Sequence, residues 1–350
     1  MILPQTFGAA LLVLILGLIC LGSWASAYKL VGKFRFELFY FDFALGAVVL
    51  AAICAFTVGN LGFDGFSFMD DLDHAGKKQW LFAFAAGVVF NLANMLLTSS
   101  VSVSGLTVAF PVAFATALTF STVATMLGGP SGNPTLLLGG CGLLVLSIVV
   151  TAISFNMLSI LRHESLARAG LTISTRRPSS MKGVILALVS GLLLGAYLPL
   201  LDKAREGEIG LGPFTLALLF SLGLFFSTFV FNVFFINLPV QGDPAEIGDY
   251  LKAGLLTHAK GIFAGLIFCS GMVALWVTAQ TSDLLRESGA LVYFLGQAAP
   301  LLAALWGMLA WRELREGDMR VKITSVLMLL LFAGGLALLA LAQLHVPKPT

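Results

Sequence analysis

Long stretches without a single charged residue constrain this chain more than any other feature. Reading from one Asp, Glu, Lys or Arg to the next, the uncharged windows are 1–28, 43–63, 79–161, 183–201, 209–242, 261–282, 288–311 and 323–347. A helix crossing a hydrocarbon core of about 30 Å needs roughly 20 mostly apolar residues. Seven windows therefore hold one such helix each, and the long one, Gln79 to Leu161, has room for three. Its polar stretches, Thr98 to Gly105 and Gly128 to Pro134, supply the two connections. Charged residues make up only 11% of the chain and hydrophobic ones 58%, which leaves too little polar surface to cover a water-soluble domain.

The expected fold class is all-α, a polytopic membrane protein of ten transmembrane helices near 6–28, 38–60, 80–98, 106–127, 135–157, 182–202, 212–236, 260–280, 288–311 and 322–343. No segments of alternating hydrophobicity suggest a β-barrel. The first apolar stretch has no basic residue before it and ends at Lys29, not at a small-residue cleavage site, so it is expected to stay as helix one. Fourteen of the 20 Lys and Arg residues fall in the loops between helices 1–2, 5–6, 7–8 and 9–10, which puts those loops in the cytoplasm and both termini outside. The location implied is the cell membrane, plasma or inner. Net charge is +2 and gives no sign of a nucleic-acid partner.

The chain also looks duplicated. Helix one carries Gly22-Ser23-Trp24 and helix six Gly195-Ala196-Tyr197, each a glycine followed two residues later by an aromatic. Helix three carries Ala86-Gly87-Val88-Val89-Phe90, and helix eight Ala264-Gly265-Leu266-Ile267-Phe268. Helices four and nine begin with Leu106 to Phe110 and Ala290 to Phe294. Two repeats of five spans, an odd number, enter the membrane in opposite senses. Such 5+5 inverted repeats surround midplane solute sites in carriers that work by alternating access. The boundaries expected are 1–158 for the first repeat, 159–181 for a cytosolic linker, 182–344 for the second repeat and 345–350 for a short tail.

Pro300 followed by five residues, Trp306-Gly307, five more and Glu313 resembles the ninth-helix signature of the drug/metabolite transporter superfamily. Gly296-Gln297 ahead of it, Tyr40-Phe41-Asp42-Phe43, Gly59-Asn60-Leu61-Gly62 and Gly87 through Asn94 are most similar to the ureide permease family and the neighbouring glucose/ribose porters. Two departures stand out. Ureide permeases tend to have glutamate where Asn60 stands, and the plant members carry a large insert with a phosphate-loop-like motif between helices five and six, whereas no Gly-x4-Gly-Lys-Ser/Thr occurs here. The resemblance implies proton-coupled uptake of a ureide or nucleobase-like compound. Sugar symport is the second reading, and export of a metabolite or drug the third.

An ionisable group within a span costs about 2.5–3.5 kcal/mol on insertion scales, so each is a functional candidate. Asp42 leads, as a proton-coupling carboxyl; the structural alternative is an interfacial carboxylate that reaches water or pairs with Lys33 or Arg35. Asn91 and Asn94 share a face of helix three with Thr98, and either bond solute or hold helices together. Gln297 precedes Pro300 by three residues, where a freed carbonyl is near. Trp24 and Tyr197 occupy equivalent places and either flank a solute or anchor at the interface. Glu313 sits among Arg312 and Arg315 and fits a structural ion pair better than solute contact. The four histidines fall in or near expected loops, and neither His-Glu-x-x-His nor Cys-x-x-Cys occurs, so no catalytic group, metal or cofactor is expected. The partners expected are the lipid bilayer, a small polar solute and protons, and a homo-oligomer is compatible with the sequence.

Overall fold

A computed structural model describes residues 1–32, 34–129, 132–168, 181–240 and 244–345. Secondary structure among these residues is entirely helical. In chain order the helices are α1 Phe7–Ser23, α2 Ser26–Leu30, α3 Phe36–Phe56, α4 Phe68–His74, α5 Lys77–Ser104, α6 Leu106–Gly128, α7 Pro134–Arg168, α8 Met181–Ala196, α9 Leu198–Arg205, α10 Pro213–Asn237, α11 Ile247–Lys252, α12 Leu255–Gln280, α13 Gly289–Gln297, α14 Ala299–Leu305 and α15 Met319–Ala342. Eight helices, counting α8 and α9 as one, are long and apolar enough to cross a membrane. A bent pair running from Gly289 to Ala310 passes the same test jointly, and α1 is a shorter apolar helix of 17 residues. The chain is a multi-pass membrane protein.

Three expected spans are interrupted. Helix one breaks at Trp24 and Ala25 into α1 and α2. Pro199 stands in the first turn of α9, where its missing N–H leaves nothing to return to the preceding turn, and the chain breaks at Tyr197. Pro300 does the same near the junction of α13 and α14, and a π-helical turn, Trp306–Ala310, follows α14. Pro111 lies inside α6 without breaking it. Helix α7 runs on to Arg168 and so takes in the first part of the expected linker; positions 169–180 and 346–350 lie outside the described residues. The four cysteines are free.

Compactness groups the chain into two units, 1–95 with 196–299, and 96–195 with 300–350. This partition is a different property from the expected repeat, since repeats related by symmetry can interleave. Within the first unit, α12 packs along α3 and α1, and α10 packs along α3. Within the second, α7 packs along α15 and α6. Lipid tails are as apolar as the side chains they meet, so close backbone approach, not the hydrophobic effect, holds such helices together. Glycines provide that approach. A Cβ on Gly140 would stand 2.9 Å from the Gly335 carbonyl oxygen, and one on Gly335 2.9 Å from that of Gly140.

Candidate functional site

Two helix crossings in the first unit are built alike. In one, α3 meets α12: a Cβ on Gly46 would collide with the Ile262 carbonyl oxygen, and a Cβ on Gly265 with that of Phe43. In the other, α10 meets α5: a Cβ on Gly223 would collide with the Phe84 carbonyl oxygen, and a Cβ on Gly87 with that of Phe220. The crossings bring matching rings together. Phe43 and Phe268, three residues from Gly46 and Gly265, have centroids 5.2 Å apart, as do Phe220 and Phe90, three residues from Gly223 and Gly87.

Trp24 and Tyr197 complete the two groups. The Trp24 ring lies 4.9 Å from Phe43 and 5.8 Å from Phe268; that of Tyr197 lies 6.2 Å from Phe220 and 5.2 Å from Phe90. Phe90 and Phe268 then stack on each other at 5.4 Å, joining the groups into one aromatic floor. Offset and edge-on rings at these separations attract beyond the area they bury. Trp24 is buried and Tyr197 half-buried.

Polar side chains continue from this floor. Asn91 Nδ2 donates to Ser227 Oγ at 2.8 Å and Thr228 Oγ1 at 3.1 Å, tying α5 to α10. Asn94, one turn on, donates from Nδ2 to Tyr40 Oη at 2.9 Å, and the Tyr40 ring packs 4.9 Å from Phe43. Asn91, Asn94 and Tyr40 are all buried. Asn94 is thus connected through Tyr40 and Phe43 to Trp24. Gln297 ends α13, a helix packed against α1, and is half-buried.

Asp42 is a buried carboxyl of α3, as is Glu37. It is the seventh residue of that helix, about 9 Å from its start at the usual rise. Gly261 makes space for it, since a Cβ there would stand 2.5 Å from that of Asp42. Tyr250, on α11, donates its hydroxyl to Oδ1 at 2.6 Å, and His258 Nδ1 lies 2.8 Å from Oδ2. Burial, with the Asp42 carboxylate beside it, pushes the Tyr250 phenol above its ordinary range, so it stays a proton-bearing donor. A buried carboxylate needs partners of this kind. Arg35 is engaged elsewhere, bonding the buried Glu37 through Nε at 3.2 Å and Nη2 at 2.6 Å, and Lys33 is outside the described residues.

Sequence reasoning missed His258 and Tyr250. The sequence pattern puts His258 in a loop, yet α12 starts five residues before the expected boundary and places it in the first helical turn. Nothing local signals a contact between side chains 208 and 216 positions from Asp42. The helix α11 that carries Tyr250 was likewise not expected.

The signature residues lie in the second unit, around the start of α6. The Glu313 carboxylate accepts from Leu106 N at 2.9 Å, Thr107 N at 2.9 Å and Thr107 Oγ1 at 2.7 Å. It caps the N-terminus of α6 from a distant part of the chain, satisfying N–H groups that no helical carbonyl can reach. Gly307 is the small residue that lets this happen: a Cβ there would collide with Thr107 Oγ1. Gly105 has φ +87°, and any side chain would be driven into the Glu313 carboxylate at 2.6 Å. Arg162 donates to the Glu313 carbonyl oxygen at 2.6 Å and pairs with Glu316 at 3.1 Å. Pro300 and Trp306 stand at the starts of the bend and the π-helical turn.

No family model matches the chain. Curated proteins do. Ureide permease 1 of Arabidopsis thaliana is 22% identical across an alignment of 403 residues, covering 99% of this chain and 100% of that protein. Ureide permease 2 of the same plant is 22% identical over 411 residues, with the same 99% and 100% coverage. Ureide permease 5 is 24% identical over 408 residues, covering 96% of this chain and 94% of that protein. The likeness runs from end to end, so this multi-pass membrane protein is ureide permease-like throughout its length.

Proposed function

We propose that the chain is a secondary-active transporter that takes up a ureide or nucleobase-like solute together with protons across the plasma or inner membrane. The observation that carries coupling is the buried Asp42 carboxyl on a membrane helix, held by His258 and Tyr250. While ionised, it accepts both bonds and tethers α11 and the start of α12 to α3. Once protonated, it loses the charge that strengthens them, and both tethers loosen. A carboxyl that changes its grip on neighbouring helices with each proton is what coupling a gradient to solute movement requires.

The relatives' name suggests the cargo. The site offers neutral amides, Asn94 foremost, and broad ring faces at Trp24 and Tyr197, which suit a flat, uncharged, polar heterocycle; Gln297 is assigned to the same solute. Asn91 holds α5 against α10 and keeps Asn94 in place.

Ten spans in a drug/metabolite transporter-type 5+5 inverted repeat account for the architecture in this reading. Its support is the twin crossings, Gly46 with Gly265 and Gly223 with Gly87, each with an equivalent aromatic trio. Two repeats of this kind exchange access by rocking about a shared axis.

The test is uptake of labelled allantoin, uracil and several sugars into proteoliposomes, with and without an imposed proton gradient. Gradient-driven accumulation of the first two, abolished by Asp42→Asn, is expected. Accumulation of sugars alone would favour the porter branch, and undiminished accumulation by the variant would end the coupling role.

A further inference from the structure

Among the described residues of the first unit, one buried side chain has both its donor and its acceptor unmet. Asn232, on α10, is fully buried, and neither its Nδ2 nor its Oδ1 bonds to any described residue. Buried amides nearly always find partners, because leaving both functions unmet inside a low-dielectric medium is destabilising. Asn91, on the neighbouring helix, illustrates the usual outcome, with its Nδ2 shared between Ser227 and Thr228.

Helical register places Asn232 beside the candidate solute site. It follows Thr228 by four residues and so lies on the same face of α10. Helices α5 and α10 run side by side in the same direction: Phe84 meets Gly223, Gly87 meets Leu224, and Asn91 meets Thr228. One further turn along both brings Asn94 and Asn232 level. Asn94 there donates to Tyr40, on α3. Phe235, just beyond Asn232, packs 5.8 Å from Phe36 at the start of α3. Three helices thus converge where the unpartnered amide sits.

We infer that Asn232 is a solute-recognition residue that pairs its N–H and C=O with an adjacent C=O and N–H on the cargo. This rests on the carrier reading above and sharpens it. A primary amide presents one donor and one acceptor side by side in a plane, and its complement is a cis-amide edge, as found in ureides and cyclic imides. A sugar hydroxyl meets those two functions only one at a time. A site built to bond a polar group discriminates strongly against compounds that cannot bond back, because its own buried groups are then stranded.

The experiment measures labelled allantoin uptake by the full chain in proteoliposomes, alongside thermal unfolding of the purified protein with and without allantoin. Asn232→Leu keeps the volume and removes the amide. KM for allantoin is expected to rise about ten- to hundredfold, as for a lost pair of hydrogen bonds. The unfolding midpoint without solute is expected to be no lower than that of the unaltered protein, and the stabilisation by allantoin to disappear. An unchanged KM in Asn232→Leu overturns the inference and leaves the carrier reading intact. An unaltered protein that accumulates ribose but neither allantoin nor uracil overturns the ureide reading, and this inference with it. Should Asn232→Leu not fold, Asn232→Ser is measured identically, with a raised KM expected and an unchanged one overturning the assignment.

Discussion

Replacing Glu313 tests what its carboxylate does at the start of α6. Its carboxylate accepts three bonds of 2.9, 2.9 and 2.7 Å from Leu106 and Thr107 at the start of α6. Loss of a side-chain cap costs about 0.5–2 kcal/mol, and removing a negative charge from a helix N-terminus about 0.3–1 kcal/mol at exposed sites. Glu313 is half-buried, so water can meet part of the loss. Glu313→Gln keeps acceptor oxygen and shape, and is expected to destabilise by about 1 kcal/mol. Glu313→Ala strands the N–H groups of Leu106 and Thr107 and should cost about 2–3 kcal/mol. The assay is reversible unfolding in mixed micelles with increasing denaturing detergent, combined with a double-mutant cycle against Thr107→Val. A coupling energy of about 1 kcal/mol between the two positions is expected from their direct bond. If Glu313→Ala falls within about 0.5 kcal/mol of the unaltered protein, or the coupling is nil, the capping explanation is wrong.

Two further outcomes follow from packing and charge. Gly265→Ala drives a methyl group into the Phe43 carbonyl oxygen, and Gly87→Ala drives one into that of Phe220; each is expected to lower unfolding free energy by about 1–3 kcal/mol, and tolerance of both would disprove the close crossings. Asp71 accepts from Gly212 N at 3.0 Å, and its burial lifts the carboxyl above the ordinary carboxylate range more than its hydrogen bonds lower it. The folded state then holds this proton more tightly than the unfolded one. Its stabilising contribution is full below the ordinary aspartate value of 3.8 and is lost as pH rises through the raised folded value. Asp71→Asn should flatten the pH dependence of the unfolding midpoint across that window; an unchanged slope would refute this.

Uncharged runs made the spans legible, because insertion in lipid leaves no other place for such lengths of apolar sequence. Breaks within spans were harder to read. Pro199, Pro300 and Pro111 look alike in sequence, yet only the first two coincide with breaks, since Pro111 falls in the sixth position of α6, where few helical bonds precede it. The short helices α4 and α11 carry charges in proportions that resemble loops. The paired Gly-aromatic spacings match Trp24 with Tyr197 and Phe90 with Phe268 in sequence, but they carry no sign that the four rings meet. The partners of Asp42 depend on chain segments more than 200 positions away, and only folding brings them to it. Asn232 was invisible for another reason: a lone asparagine in an apolar run is informative only once its surroundings are seen to lack partners for it.

Proton movement driven by solute is the most direct test of coupled transport. With no imposed gradient, proteoliposomes holding a trapped pH indicator are given external allantoin. The interior is predicted to acidify as solute enters, with His258→Gln altering the pH profile of that flux and Asp42→Asn abolishing it. Entry of labelled allantoin with no change in interior pH would contradict the account.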